Sequence, residues 1–156
     1  MIKEILVPKA RIKVIMSVKT RTERETSTKL NLNSNCFTIE GEAVDVMDSE
    51  NIIKSIARGF SPLKAFELLD ENKCLIIIDL PTDKKKLIRI KSRLIGTRGK
   101  CRKNLERLTG TYISVYGKTV SIIGDFDSAE ICEKAINMLI KGTPHKLVYK
   151  SLEEKE

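Results

Sequence analysis

The residues of this chain best suited to chemistry are two glycines three apart, in Ile95-Gly96-Thr97-Arg98-Gly99-Lys100. Glycine lacks a Cβ and tolerates positive φ, so a sugar-phosphate backbone can approach the peptide to van der Waals contact. The N–H groups of a helix that starts at such a bend face an anion. Thr97 adds a hydroxyl and Arg98 a guanidinium fork. The spacing alone is weak, because eight glycines in 156 residues give about 0.4 such pairs by chance. A glycine pair in an ordinary helix-turn-helix is the bland alternative. A nucleotide P-loop fits poorly: Gly99-Lys100 is followed by Cys101 rather than Ser or Thr, and the four residues that would separate its glycines are missing.

Charge singles out the same place. Between Asp83 and Lys118 stand twelve bases: Lys84, Lys85, Lys86, Arg89, Lys91, Arg93, Arg98, Lys100, Arg102, Lys103, Arg107 and Lys118. Only Asp83 and Glu106 oppose them. The whole chain has 29 bases and 21 acids, a net +8, so under a quarter of its length carries more than the entire excess. Lysines usually form a solvated face, but an even scatter would not concentrate in this way. The pattern reads as an electrostatic footprint for a polyanion.

Other chemistries find less support. The single histidine, His145, argues against most Ser-His and Cys-His mechanisms. Cys36, Cys74, Cys101 and Cys132 form no CxxC pair and no zinc spacing. They read as reduced, mostly packed thiols of a cytosolic protein. Asp83 and Glu106 are too few and too scattered for a two-metal site. No catalytic residue, metal or cofactor is therefore assigned. The longest strongly apolar run, Cys74 to Ile78, is far short of the roughly 20 residues of a bilayer span, and Met1 to Pro8 does not read as a targeting signal. With 41% hydrophobic and 32% charged residues, the composition suits one ordinary domain or two small ones.

The surrounding elements must position the bend. Lys3 to Pro8 reads as a strand, Lys9 to Met16 as a short helix, and Val18 to Ser27 as helix-compatible. Lys29 to Asn33, the Ser34-Asn35 turn and Cys36 to Glu40 form a hairpin signal. Ala43 to Arg58 reads as a helix with Val44, Met47, Ile52, Ile53 and Ile56 on its apolar face. Ser61-Pro62 starts a short helix, Leu63 to Leu69, anchored by Phe66. A second cycle follows. Cys74 to Leu80 is a buried-strand run. Thr82 or Asp83 caps a helix through Ile95, with Leu87, Ile88, Leu94 and Ile95 apolar. Lys100 to Leu108 is helical, and Thr111 to Tyr116 pairs with Thr119 to Ile123 across Gly117-Lys118. Asp127 or Ser128 caps a helix to Lys141, and Pro144 opens a last helix carrying Leu147, Val148 and Leu152.

Both halves thus read strand, helix, helix, strand, strand, helix, and residues repeat with them. At an offset of 83, Glu23-Arg24 matches Glu106-Arg107, Thr26 and Thr28 match Thr109 and Thr111, and Gly41-Glu42 matches Gly124-Asp125. Upstream the offset falls to 79, pairing Ile15-Met16 with Leu94-Ile95. The difference falls on Gly96-Thr97-Arg98-Gly99, which then has no counterpart between Met16 and Ser17. Without a gap, Ser17-Val18-Lys19-Thr20 would stand there instead. Either way the first copy has no GxxG.

In this setting, Ile95 to Lys100, framed by two helices and the strand Tyr112 to Tyr116, resembles a type I KH domain. The string from Arg93 through Gly124 (RLIGTRGKCRKNLERLTGTYISVYGKTVSIIG) resembles the archaeal ribosome-biogenesis KH proteins called partner of Nob, or Dim two. Arg58 to Pro62, leading into Ala65-Phe66, and Pro144-His145 with Val148-Tyr149 resemble that family's connecting and tail segments. The resemblance implies an α+β chain of two tandem type I KH units (β-α-α-β-β-α), each a three-stranded antiparallel sheet with helices on one face. Residues 1–70 would be a degenerate KH unit without GxxG plus a connecting helix. Residues 71–156 would be a KH domain with GxxG and a tail helix. It further implies a cytoplasmic RNA-binding factor acting near the 3′ end of small-subunit ribosomal RNA during its maturation. The implied partners are the Nob-type endonuclease and the alpha subunit of archaeal initiation factor two. The first unit departs from the family pattern by lacking GxxG. That puts RNA contact by Met1 to Arg58 in doubt, with a scaffold or protein-docking surface as the alternative.

KH recognition holds about four single-stranded nucleotides between the GxxG clamp and a groove edge. Gly96, Thr97, Arg98, Gly99 and the amide of Lys100 are assigned to the RNA backbone, and Arg102 and Lys103 to flanking phosphates. Ile95, Leu105, Ile113 and Val115 are assigned to the groove, with structural core as the alternative for all four. Two competing functions are a non-catalytic adaptor docking a translation factor or nuclease, and DNA binding through a helix-turn-helix. The strong hairpin after Thr111 favours KH over the latter.

Overall fold

The computed structural model describes residues 1–154, and the chain divides into two compact units, Met1–Asp70 and Glu71–Glu156. In the first, β1 (Ile2–Leu6) leads through a 3-10 turn (Lys9–Arg11) into α1 (Ile12–Ser17) and α2 (Lys19–Thr26). The hairpin β2 (Lys29–Asn33) and β3 (Cys36–Glu40) follows, then α3 (Ala43–Ala57), α4 (Pro62–Ala65) and a 3-10 turn (Phe66–Leu69). The sheet is antiparallel in the order β1-β3-β2.

The second unit repeats the plan with longer parts. It runs β4 (Lys73–Asp79), α5 (Lys84–Ile95), a 3-10 turn (Thr97–Gly99), α6 (Lys100–Thr109), β5 (Tyr112–Tyr116), β6 (Thr119–Asp125) and α7 (Phe126–Lys141). A further helix, α8 (His145–Glu154), follows α7. Its antiparallel sheet has the equivalent order, β4-β6-β5. Strand alternation sends Cys74, Ile76 and Ile78 to the face packed with Val120, Ile122 and Ile113. Against that face lie Ile90 and Leu94 of α5, Cys101 and Leu105 of α6, Cys132, Ile136 and Leu139 of α7, and Val148 and Leu152 of α8. Glycine stops α6 and α7, since Gly110 and Gly142 take the left-handed conformation that ends a helix.

One hydrogen-bond network occurs in both units at the offset read from sequence. Glu106 Oε2 accepts the Ile113 N–H at 2.9 Å, and Glu23 Oε2 accepts the Leu30 N–H at 2.9 Å. Thr109 donates to the Leu105 carbonyl at 2.6 Å and pairs with the Thr111 hydroxyl at 2.8 Å. Thr26 donates to the Thr22 carbonyl at 2.6 Å and pairs with Thr28 at 2.7 Å. Each network ties the end of the second helix to the start of the next strand.

Several local readings change. The α3 stripe that is buried is Val46, Ser49, Ile52, Ile53 and Ile56, while Val44 and Met47 stand 70% and 59% exposed. Val46, Ser49, Ile53 and Ile56 follow the three-and-four spacing of one helix face, which Val44 and Met47 miss. On α5 the buried positions are Ile90 and Leu94, and Ile88 is exposed. The Leu63 to Leu69 segment is not one helix but α4 followed by a 3-10 turn, with Ser61 capping the Lys64 amide. β6 continues to Asp125, so α7 starts at Phe126, ahead of Asp127 and Ser128.

Candidate nucleic-acid interface

The approach to the bend is set by α5. Asp83 caps it, accepting the Lys86 N–H at 3.1 Å. Burial of Ile90 and Leu94 turns Lys84, Lys85, Lys86 and Arg89 outward. The helix closes with the Gly96 N–H donating to the Ser92 carbonyl at 2.9 Å.

Gly96 then adopts φ 73° and ψ 176°. A Cβ there would stand 2.8 Å from both the Cβ and the amide nitrogen of Cys101, so side chain and conformation both demand glycine. Thr97–Gly99 forms a single 3-10 turn in which Arg98 is left-handed, φ 56° and ψ 29°. Gly99 is left-handed as well, at φ 74°. A Cβ there would make ordinary van der Waals contact, at 3.9 Å, with Arg102 Nη2 and Lys103 Cε. Thr97, Arg98, Lys100 and Lys103 are exposed, with the buried Cys101 thiol beneath the turn. No side chain caps the turn or α6, and the Gly99 N–H is taken up inside the turn, donating to the Gly96 carbonyl at 3.2 Å.

The Lys100 amide is a correction. It donates to the Thr97 carbonyl within the turn, so what Lys100 offers a ligand is its exposed ammonium. Arg102 is half-committed: its Nη1 pairs with Glu106 Oε1 at 2.7 Å.

The groove differs from the sequence assignment too. Leu105 and Ile113 are 1% and 4% exposed and belong to the core of the unit; their inward direction is fixed by Leu94, Cys101 and the sheet. Val115 is half-buried and packs against the same core. Of the four proposed groove residues, Ile95 alone reaches the open depression beside the bend, a cavity of about 490 Å³ lined by Ile88, Lys91, Ser92, Ile95, Gly96 and Thr97. Ile88 also lines this depression, although in the sequence an apolar side chain on an amphipathic helix reads as core. Its signal was its position seven before Ile95, two turns up the same face.

Some of the bases in each unit are engaged within it. In the first, Arg11 holds the Ile56 and Phe60 carbonyls at 2.8 Å. Arg21 pairs with Glu25 and lies 4.0 Å from the centre of the Phe66 ring, and Lys54 pairs with Glu50. In the second, Arg93 caps α7 by donating to the carbonyls of Leu139 at 3.2 Å and Thr143 at 2.6 Å. Among the described residues, Arg93 and Arg102 are the members of the basic stretch that have such partners; the others form no ion pair. Unpaired cations around a glycine bend leave their field for something from outside.

Residues 74–156 match the family described as eukaryotic type KH-domain (KH-domain type I), specifically the second such domain of the PNO1 proteins. A KH domain-containing protein of Methanocaldococcus jannaschii is 35% identical, over 96% of this chain and 72% of that protein. The chain belongs to the Dim2/PNO1 family of KH proteins. Dim2p from Pyrococcus horikoshii superposes with a TM-score of 0.92 at 38% identity, covering 99% of both chains. A protein of unknown function from Aeropyrum pernix gives 0.94 at 32% identity, covering 99% of this chain and 89% of that one. The third structure is of a complex of a/eIF2alpha, aDim2p and rRNA from Pyrococcus horikoshii, matched at TM-score 0.92 and 37% identity over 99% of this chain and 93% of that one. Within this KH family setting, the bend between α5 and α6 is the GxxG turn of the second unit. In the first unit Val18 alone joins α1 to α2, and no such turn is present. Among the described residues no helix is long and apolar enough to cross a membrane, and no group of three or more His, Cys, Asp or Glu side chains is placed to hold a metal.

Proposed function

We propose that this protein is a non-catalytic, RNA-binding ribosome-biogenesis factor of the archaeal cytoplasm, and that its second unit clamps single-stranded RNA near the 3′ end of small-subunit rRNA. The observation that carries the reading is the meeting of an uncapped Gly96–Gly99 turn with exposed, unpaired bases. The strand's phosphates would lie over Gly96, Thr97, Arg98 and Gly99, with Lys100 and Lys103 beside them. Bases would enter the depression floored by Ile88 and Ile95. With no tryptophan and 4% aromatics, selection would come from hydrogen bonds to base edges more than from stacking. The neighbouring Pyrococcus complex, which holds rRNA with aDim2p, supports this choice of ligand.

The first unit is read as a degenerate KH unit, since it keeps the order β-α-α-β-β-α and the sheet order of the second. Its role would be scaffold and protein docking, with the alpha subunit of archaeal initiation factor two as partner, as a/eIF2alpha accompanies aDim2p in that complex. The Nob-type endonuclease as a second partner rests on the family resemblance.

The test replaces Thr97 and Arg98 together with aspartate. Both are exposed, so the fold should survive, and repulsion should remove binding to a short single-stranded RNA of the ribosomal 3′ sequence. Unchanged affinity in a folded double variant would overturn the clamp.

A further inference from the structure

A second cavity opens on the other side of the same turn, toward α8. It measures about 560 Å³ and is lined among others by Arg89, Gly96, Lys100, Asn104, His145 and Tyr149, within the roughly 300–1,000 Å³ of small-molecule sites. Its walls are unlike those of the Ile88–Ile95 depression. Two aromatic rings stand on it, His145 and Tyr149, with centroids 6.2 Å apart and planes tilted by 48°. His145 is held in place: its Nε2 donates to the Arg93 carbonyl at 2.8 Å, because a carbonyl can only accept. In the neutral ring this leaves Nδ1 as an acceptor. Cys101 and Asn104 line the cavity beside Tyr149. Arg93, though it borders the cavity, is spent on the end of α7. Arg89 and Lys100 are exposed and form no ion pair among the described residues.

We propose that this cavity is a nucleotide subsite that takes one further nucleoside monophosphate unit of the bound strand, its base against Tyr149 and His145 and its phosphate between Arg89 and Lys100. The inference rests on the RNA-clamp reading above and extends it. Three features support a nucleotide over a free anion. Ser92, Gly96 and Thr97 belong to both cavities, so a strand lying over the turn is continuous with this pocket. Aromatic faces accept any base, and the Asn104 amide carries both a donor and an acceptor for a base edge.

The test uses the full chain and single-stranded RNAs of about four nucleotides, each then lengthened by one residue at the 5′ or the 3′ end. Lengthening at one end should tighten binding about tenfold, the size of one stacked base. His145 is the only histidine of the chain, so its ring resonances report the pocket alone. They should shift with the longer RNA and not with the four-nucleotide one. Tyr149→Leu keeps apolar bulk on α8 and Arg89→Ala removes an exposed side chain; each should abolish the gain from the added nucleotide. If the short RNA binds but neither extension tightens it or moves His145, the subsite is refuted and the clamp stands. If the gain persists in both folded variants, the subsite is likewise refuted. Failure of the short RNA to bind would refute the clamp itself, and the subsite with it.

Discussion

Glu106 holds the Ile113 amide at 2.9 Å with one carboxylate oxygen and the Arg102 guanidinium at 2.7 Å with the other. One side chain therefore ties the strand edge of the second unit to the helix that carries the bend. Glu106→Ala should leave the Ile113 N–H without its partner and cost about 1–3 kcal/mol, read by denaturant unfolding. Glu23→Ala, which unpairs Leu30 in the first unit, should cost a similar amount. A pair of neutral substitutions would show that these carboxylates are incidental to the fold.

Gly96 and Gly99 should answer differently to alanine. Gly96→Ala meets Cys101 at 2.8 Å at positive φ, and strain plus overpacking should cost about 1–3 kcal/mol. Gly99→Ala meets nothing closer than ordinary contact at 3.9 Å and pays only for its left-handed backbone, about 1–2 kcal/mol. Thermal or chemical denaturation of both variants checks the ranking, and equal losses would contradict the close approach at Gly96.

Binding of single-stranded RNA should weaken linearly in log affinity against log salt, with a slope of about −0.7 per neutralised phosphate. Titrations over a salt series measure it. Lys103→Gln, which removes one exposed base beside the turn, should flatten the slope by about one phosphate's share, and a slope of zero in the wild type would leave the unpaired bases without a role.

Alkaline pH should expose Tyr149. Burial, and then its hydrogen bond with Cys101, pushes its hydroxyl up to about 12 from an ordinary 10.0. Between those values the unfolded chain has lost the proton and the folded chain keeps it. Stability from this group is therefore complete below pH 10 and is lost as pH rises toward 12. Tyr149→Phe should reduce that alkaline loss in pH-dependent unfolding. An identical alkaline limb in the variant would contradict the burial of the hydroxyl.

Burial also pushes the Cys74, Cys101 and Cys132 thiols up, but only Cys101 and Cys132 are 2% exposed or less. In the native protein, Cys36 and Cys74, both half-buried, should be alkylated first, as mass spectrometry of a timed reaction would show. Early modification of Cys132 would mean that the second unit opens readily.

What could be read from the sequence divides along a physical line. Turn and cap chemistry is local, so the Gly117-Lys118 hairpin, the Ser61-Pro62 start and the Gly96–Gly99 bend were all visible in residue types. The threonine, glutamate and glycine repeats at an offset of 83 reappear as hydrogen bonds because each partner lies within one helix-to-strand corner. Direction was harder. Leu105 and Ile113 look the same in sequence whether they face a ligand or the core, and only the packing of Leu94 and Cys101 decides it. Ile88, Val44 and Met47 fail the other way, as apolar residues left outside by a stripe that runs one position off. His145 and Tyr149 lie some fifty residues from the bend in sequence, and no local pattern joins them to it.

The bend and the corner that supports it are separate parts. Glu106, Thr109 and Thr111 keep the second unit together downstream of the glycines, and Glu23, Thr26 and Thr28 do the same where no glycines exist. Grip and shape thus depend on different residues in this architecture: the corner network closes equally well in a unit with the glycine bend and in one without it.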